Sequence, residues 1–218
     1  FGMIGTNETY RAYMDEGFTQ FLTCWAYEKI DGTKRIMPEP ASKYVKEFTA
    51  TDYVRNTEVY LPYMMDAVKG EETNINKHSN DFSTALRHGG GYRQVYFKTA
   101  VMLYNLQYVL GDELFLKAMQ HYVSQWKIAH PYPEDFRSSI MQYTHVDLNW
   151  FFDQWYLNSG HPELAVSYQV NATDKKVFVS MEQQQQAAFG LFKLPLEVTV
   201  FDDRGATTLK IQFDRATM

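Results

Sequence analysis

The sequence predicts an α+β protein with more than one domain. A mainly α-helical part over residues 1–160 is followed by an antiparallel β-sandwich unit over residues 161–218. Apolar residues recur at helical spacing in the first part and alternate with polar residues after Gly160, and this change of period separates the two parts. The 218 residues are 45% hydrophobic and 16% aromatic, which is enough apolar surface to bury a sizeable core. His161-Pro162 marks the expected junction.

Six helical segments are predicted from apolar spacing and from end signals, over 16–28, 52–68, 92–110, 112–127, 133–143 and 147–160. Pro62 is expected to bend or break the second segment, because proline lacks the N–H that an interior helical residue donates. Gly111 is expected to end the third, and Asp112 to cap the fourth. Short connections favour antiparallel packing of successive helices.

Four strands are predicted after the junction. The apolar residues that alternate along them are Leu164, Val166, Tyr168 and Val170, then Val177, Val179 and Met181, then Leu194, Leu196, Val198 and Val200, then Leu209, Ile211 and Phe213. Residues 172–175 and 202–205 carry turn signals between neighbouring strands. Because the sequence stops at Met218, soon after the fourth strand, the sandwich is expected to be incomplete. The polar tract 183–186 is interpreted as a loop or an edge strand.

Composition excludes several classes of partner. The net charge is −5 and no basic stripe is present, which argues against nucleic-acid binding. No apolar run reaches the roughly 18 residues of a membrane span. Cys24 is the only cysteine, so an intrachain disulfide and a cysteine metal cluster are ruled out. The sequence begins at Phe1 without an initiator Met, and we expect the natural start to lie upstream.

Two residues, Glu16 and Tyr96, are candidates for a metal-binding or catalytic role. Glu16 follows Asp15 at the predicted start of a helix, where acids are also favoured by the helix dipole alone. Tyr96 is one of sixteen tyrosines, and its ordinary interpretation is a core aromatic residue with a satisfied hydroxyl.

The surroundings of Glu16 point to a family. FGMIGTN at residues 1–7 and YMDEGF at residues 13–18 resemble the stretch that follows HExxH in the gluzincin zinc aminopeptidases, the relatives of alanyl aminopeptidase and leukotriene hydrolase. The resemblance implies that Glu16 is the third zinc ligand. Two histidine ligands and a general-base glutamate would then lie upstream of Phe1. It also implies a thermolysin-like C-terminal subdomain of the catalytic domain, with the β-sandwich as the following domain.

A second match stands apart from the first. GGGYRQVYFKTAVML at residues 89–103 resembles the Tyr-x-Lys-Gly-Ala segment of the same family. The resemblance implies that Tyr96 donates a hydrogen bond to the scissile carbonyl oxygen, and Lys98 falls on the lysine of that segment. A neutral phenol can stabilise a developing oxyanion in this way.

The sequence also departs from the family pattern. Neither HExxH nor the Gly-x-Met-Glu-Asn segment, which binds the substrate amino terminus, is present in the 218 residues. Thr99 replaces a glycine, and Thr23 stands where relatives often carry an acid. His88, beside Gly89–Gly91, fits either a site residue in a loop or an ordinary exposed histidine. Arg11 and Arg93 are interpreted as surface or packing charges.

The resemblance implies a zinc metallo-aminopeptidase acting on peptides, with one zinc ion in the full-length protein. The 218 residues alone are expected to be inactive and to bind zinc weakly, because they supply one ligand. The alternative is a non-catalytic, peptidase-like binding or scaffold module. An intact HExxH upstream of Phe1 would favour the enzyme. The sequence does not predict the substrate residue preference, the oligomeric state or the compartment.

Overall fold

A computed structural model describes residues 2–34, 43, 53–70, 72–82 and 91–218. The chain is a mainly helical α+β protein with antiparallel strand pairs, as the sequence predicts. It divides into two compact units, Phe1–Leu157 and Asn158–Met218. His88, the first two glycines of the predicted loop and the start of the predicted segment 52–68 lie outside the described residues. In the part that is described, no helix is both long enough and apolar enough to cross a membrane.

In its described part, the first unit contains six α-helices. They are α1 (Glu16–Ile30), α2 (Leu61–Val68), α3 (Gln94–Leu110), α4 (Asp112–Trp126), α5 (Pro133–Thr144) and α6 (Asn149–Phe152). A 3-10 turn, Ala12–Met14, precedes α1, and π-helical turns, Asn56–Tyr60 and Asp153–Leu157, lie before α2 and after α6. α1 packs on α3, and α4 packs on α5.

Pro62 does not break its helix. The N–H of Leu61 bonds the carbonyl of Asn56, which is the longer reach of a π turn, and the chain stays helical through Pro62 to Val68. Pro62 lies in the first turn of α2, where its missing N–H costs least. The expected interruption is therefore a π turn, not a break.

The prediction that Asp112 caps the fourth helix is wrong. Gly111, with φ of 78°, ends α3 and is itself the N-cap of α4, because its carbonyl accepts from the N–H of Phe115 at 3.0 Å. Asp112 is the first helical residue, and its carboxylate instead accepts from the side chain of Gln107 at 2.8 Å. α4 therefore begins one residue earlier than a capping aspartate would require.

Aromatic side chains dominate the core of the first unit. Phe21 on α1 meets the ring edges of Tyr104 and Phe115, with centroids 4.8 and 5.6 Å apart. Phe136 on α5 meets Phe18 and Tyr122 at 4.7 and 4.9 Å. Edge-to-face pairs of this kind stabilise a core beyond the area they bury. They fix the first two turns of α1, where Glu16 lies, against α3, α4 and α5.

The second unit contains two hairpins, β1 (Leu164–Asn171) with β2 (Lys176–Gln183) and β3 (Leu194–Asp202) with β4 (Gly205–Phe213), in two antiparallel sheets. Both predicted turns close hairpins, at the pairs Asn171↔Lys176 and Asp202↔Gly205. Residues 216–218 pair with the free edge of β2 through three backbone hydrogen bonds of 2.8–2.9 Å. Residues of both hairpins share one small core, formed by Met181, Phe192, Leu194 and Phe213.

Candidate functional site

The structure brings together the two residues that the sequence singles out. Glu16 lies in the first turn of α1 and Tyr96 in the first turn of α3, and both are half-buried. The carboxylate of Glu16 lies close enough to the hydroxyl of Tyr96 to raise the pKa of that phenol. Residues 80 positions apart in the sequence (96 minus 16) therefore share one site.

The first turn of α3 is held from the side by α2. The carboxylate of Asp66, which is buried, accepts from the Gln94 amide at 3.2 Å and lies 3.6 Å from Nε of Arg93. The side chain of Arg93, the N-cap residue, does not cap α3, and Asp66 places a carboxylate near the helix N-terminus, where the dipole favours it. Arg93 is thus a packing charge, as the sequence suggests, and it lies one turn before Tyr96.

The electrostatics of the site favour a protonated phenol. Burial and the neighbouring Glu16 carboxylate raise the pKa of Tyr96 above its ordinary value. Burial followed by the charges of Glu16, Glu8 and Asp15 also raises the pKa of Tyr92. The rings of Tyr92 and Tyr96 meet edge to face, with centroids 6.2 Å apart. Both hydroxyls are therefore hydrogen-bond donors at neutral pH.

The site contains two further carboxyl groups. Glu8 lies beside Glu16, and burial followed by the neighbouring Glu16 carboxyl raises the pKa of the Glu8 carboxyl. Burial and the adjacent Glu16 charge raise the pKa of Asp15. Sequence reasoning did not single out Glu8. Glu8 is brought to the site by a turn in which the side chain of Asn7 accepts from the N–H of Tyr10. An isolated acid in a turn has no sequence pattern that predicts such a position.

Other residues named from the sequence have different roles. Lys98 is buried, and burial lowers the pKa of its ammonium group to about 8, partly offset by the charge of Glu72. Arg11 donates to Asn76 at 2.8 Å and stacks on Tyr10. Thr23 lies two turns after Glu16 and is exposed. Thr99 is buried against Gly17, where α1 crosses α3.

Glu16 can supply one of the ligands of a metal centre. Within the described ranges, no three His, Cys, Asp or Glu side chains lie together as a group able to hold a metal ion. Glu16 offers a carboxylate oxygen, a usual zinc ligand, but a catalytic zinc takes three protein ligands. Any metal at Glu16 therefore needs ligands from other residues, and imidazole nitrogens would complete the usual set.

A family model, a curated protein and a solved structure resemble this chain. The Peptidase family M1 domain matches residues 1–155. Aminopeptidase N of Haemophilus influenzae is 32% identical over 117 residues, which are 51% of this chain and 13% of that protein. A crystal structure of Legionella pneumophila aminopeptidase A in complex with aspartic acid superposes on 99% of this chain and 22% of its own, with a TM-score of 0.59 and 17% identity.

These matches differ in what they cover. The structural likeness, at 17% identity, shows a shared fold. The family match spans the first unit almost to its end and contains both Glu16 and Tyr96. The chain spans about an eighth of the length of the Haemophilus relative and about a fifth of the Legionella one.

Proposed function

The chain belongs to peptidase family M1, and from this membership we propose that it is part of a zinc-dependent aminopeptidase that removes N-terminal residues from peptides. Residues 1–160 would be the helical part of the catalytic domain, and residues 161–218 the start of the next domain. The observation that carries the proposal is the pairing of Glu16 with Tyr96. A metal ligand and an oxyanion donor must act on the same substrate, and the proximity of Glu16 on α1 to Tyr96 on α3 supports these two roles.

Glu16 is the proposed zinc ligand of this chain. Two histidines and a general-base glutamate would come from residues outside these 218. When bound, zinc supplies the Lewis acidity that activates water near neutral pH. Glu16 would contribute the negative charge and orientation of one ligand, and its position at the start of a well-packed helix keeps that orientation fixed.

Tyr96 is the proposed donor to the substrate. Its hydroxyl would bond the scissile carbonyl oxygen while negative charge develops there, which is the role of an oxyanion donor. Its raised pKa keeps the phenol protonated throughout the neutral range. In this structure the hydroxyl lies beside the Glu16 carboxylate, so a bound substrate would compete with Glu16 for this donor.

We propose that the 218 residues alone are inactive, because Glu16 lacks the other ligands. The test compares this chain with the longer protein that contains it and its upstream residues. Both are assayed on aminoacyl-arylamides with and without a chelator, and their zinc content is measured. The longer protein is expected to hold one zinc per chain and to lose activity with the chelator. Stoichiometric zinc in the 218-residue chain, or activity that resists the chelator, would contradict the proposal.

The alternative function is a peptidase-like binding or scaffold module. Two departures favour it: Thr23, which is exposed and not acidic, and Thr99, which replaces a glycine. The upstream sequence decides between the two functions. An HExxH with both histidines supports the enzyme, and a disrupted one supports the module.

A further inference from the structure

Gly17, the residue after Glu16, lies at a very close approach of α1 to α3. A Cβ atom built on Gly17 would stand 2.3 Å from Cβ of Thr99, 2.5 Å from its Cγ2 and 2.4 Å from the carbonyl oxygen of Val95. Ordinary van der Waals contacts of a Cβ atom begin near 3.4 Å. A hydrogen atom is therefore the largest substituent that fits here.

The reason for this glycine is space and not backbone conformation. Gly17 is absent from the glycines with positive φ, so its backbone suits any residue. Alanine would also favour the helix more than glycine does. The close contact with α3 therefore explains why a glycine occupies position 17, although glycine is unfavourable within a helix.

The contact lies directly beside the site. Glu16 precedes Gly17 on α1, while Val95 and Thr99 lie on either side of Tyr96 along α3. How closely α1 packs on α3 at this point therefore determines the distance between the Glu16 carboxylate and the Tyr96 hydroxyl. We propose that Gly17 and Thr99 are positioning residues that set the separation between Glu16 and Tyr96.

A methyl group at Gly17 would force the two helices apart. Thr99 is fully buried, rotation of its side chain leaves its Cβ in place, and the Val95 oxygen belongs to the backbone of α3, so a side-chain rotation cannot relieve the clash. Relief requires α1 to move by about 1 Å, and a misplacement of that size can lower a catalysed rate by about 100-fold. The roles of Glu16 and Tyr96 in this consequence rest on the proposed function, but the spacing itself does not.

The experiment monitors the separation between Glu16 and Tyr96 in the 218-residue chain and does not depend on enzyme activity. Tyr96 is replaced by 3-fluorotyrosine, and its fluorine resonance is recorded at neutral pH. Glu16→Gln, which removes the charged partner, gives the direction in which the resonance moves when the contact weakens. Gly17→Ala is expected to move it in the same direction.

Gly160→Ala is the control for a clash away from the site, and because Gly160 has a φ of 80° this variant also carries backbone strain. A Cβ on Gly160 would meet the Phe189 ring at 2.3 Å, a contact as tight as that at Gly17, but this residue belongs to the second unit. Gly160→Ala is expected to lower the melting temperature and to leave the fluorine resonance in place. Thr99→Ser, which removes only the Cγ2 methyl, tests the same spacing without enlarging any residue and is also expected to move the resonance.

The longer protein supplies a second measurement. Gly17→Ala is expected to lower kcat on an aminoacyl-arylamide by about 10- to 100-fold, while Gly160→Ala leaves kcat unchanged. Gly17→Ala/Thr99→Gly removes two of the three close contacts and should recover part of the loss. Unmoved resonances in both Gly17→Ala and Thr99→Ser would overturn the inference. An inactive wild-type protein whose Gly17→Ala resonance still moves would refute the proposed function and leave the spacing intact.

Discussion

The side-chain amide of Gln183 bonds both backbone groups of Phe192. Its nitrogen donates to the Phe192 carbonyl at 2.8 Å, and its oxygen accepts from the Phe192 N–H at 2.8 Å. The same nitrogen also donates to the Arg215 carbonyl at 3.1 Å, and the same oxygen accepts from Gln185 at 2.9 Å. The buried side chain of Gln183, at the end of β2, thus pairs backbone groups of Phe192 in the connection to β3, as a neighbouring strand would.

Gln183→Leu is expected to lower the free energy of unfolding of the second unit by about 2–4 kcal/mol, because it leaves buried backbone groups unpaired. All four tryptophans belong to the first unit, so far-UV circular dichroism and amide hydrogen exchange across β3 and β4 are the suitable measurements. The control is Gln184→Leu, whose exposed side chain bonds only Glu182 and should change the free energy by less than about 0.5 kcal/mol. Equal effects of the two variants would contradict a specific role for Gln183.

A buried ion pair connects the segment before α2 to α1. The guanidinium of Arg55 donates to both carboxylate oxygens of Glu28, at 3.1 and 2.8 Å, and stacks on the Tyr104 ring at 3.9 Å. The Glu28 side chain is 6% exposed and that of Arg55 34%.

Glu28→Gln is expected to lower the free energy of unfolding by about 1–3 kcal/mol, less than for a fully buried pair because water reaches Arg55. Tryptophan fluorescence in a urea titration measures it, since Trp25 lies close by on α1. Lys117→Ala, which removes the exposed Glu113–Lys117 pair, is the control and should leave the midpoint unchanged. A Glu28→Gln midpoint equal to that of the wild type would show that this pair contributes nothing.

Lys98 should make stability depend on pH in an unusual direction. Burial lowers the pKa of its ammonium group to about 8 in the folded chain, against about 10.4 in the unfolded one. Between these values the unfolded chain binds more protons, so the contribution of Lys98 to stability rises with pH. Below pH 8 both states are protonated, and the fold carries the full cost of the buried charge.

The measurement is the free energy of unfolding of the wild type minus that of Lys98→Met, taken at pH 7, 8, 9 and 10. This difference is expected to increase above pH 8, by an amount on the order of 3 kcal/mol over the full window. Subtraction removes the tyrosines with raised pKa values, such as Tyr63 and Tyr104, which act in the opposite direction above pH 10. A difference that stays flat across the series would show that Lys98 titrates normally.

Local signals predicted most elements of this fold. Apolar spacing and the glycine and proline signals located α3 to α5 to within about two residues, and alternation with turn residues located all four strands. Motif order pointed to Glu16 and Tyr96, which lie beside each other in the structure, and their roles stay predictions. The match of residues 1–155 to family M1 confirms the resemblance on which this rested.

The features that sequence reasoning missed depend on contacts distant in the chain. Glu8 reaches the site through a turn, and the bond of Asp112 to Gln107 replaces the expected cap. Gln183 was interpreted as part of a loop or edge strand. In the structure Met181, Gln183 and Gln185 are buried at every second position, and a run of four glutamines carries no apolar alternation that would predict this.

The two neighbouring phenols of the site give the most direct test of the proposed chemistry. In the longer protein, Tyr96→Phe is expected to lower kcat by about 10²–10³, because one oxyanion donor is lost. KM and zinc content should change little, since Glu16 remains. The measurements are steady-state kinetics on an aminoacyl-arylamide and metal analysis of the same preparation.

Tyr92→Phe is the matched control, because Tyr92 faces the same carboxylates and its ring meets that of Tyr96, yet it lies outside the Tyr-x-Lys motif. It removes one hydroxyl of the same kind from the same site and should lower kcat less than 10-fold, since a charge-bearing oxygen needs its donor within about 3 Å. A larger loss for Tyr92→Phe than for Tyr96→Phe would assign the donor to Tyr92. Full activity in both variants would mean that neither phenol stabilises the oxyanion, and that the pairing of Tyr96 with Glu16 serves only to hold the carboxylate.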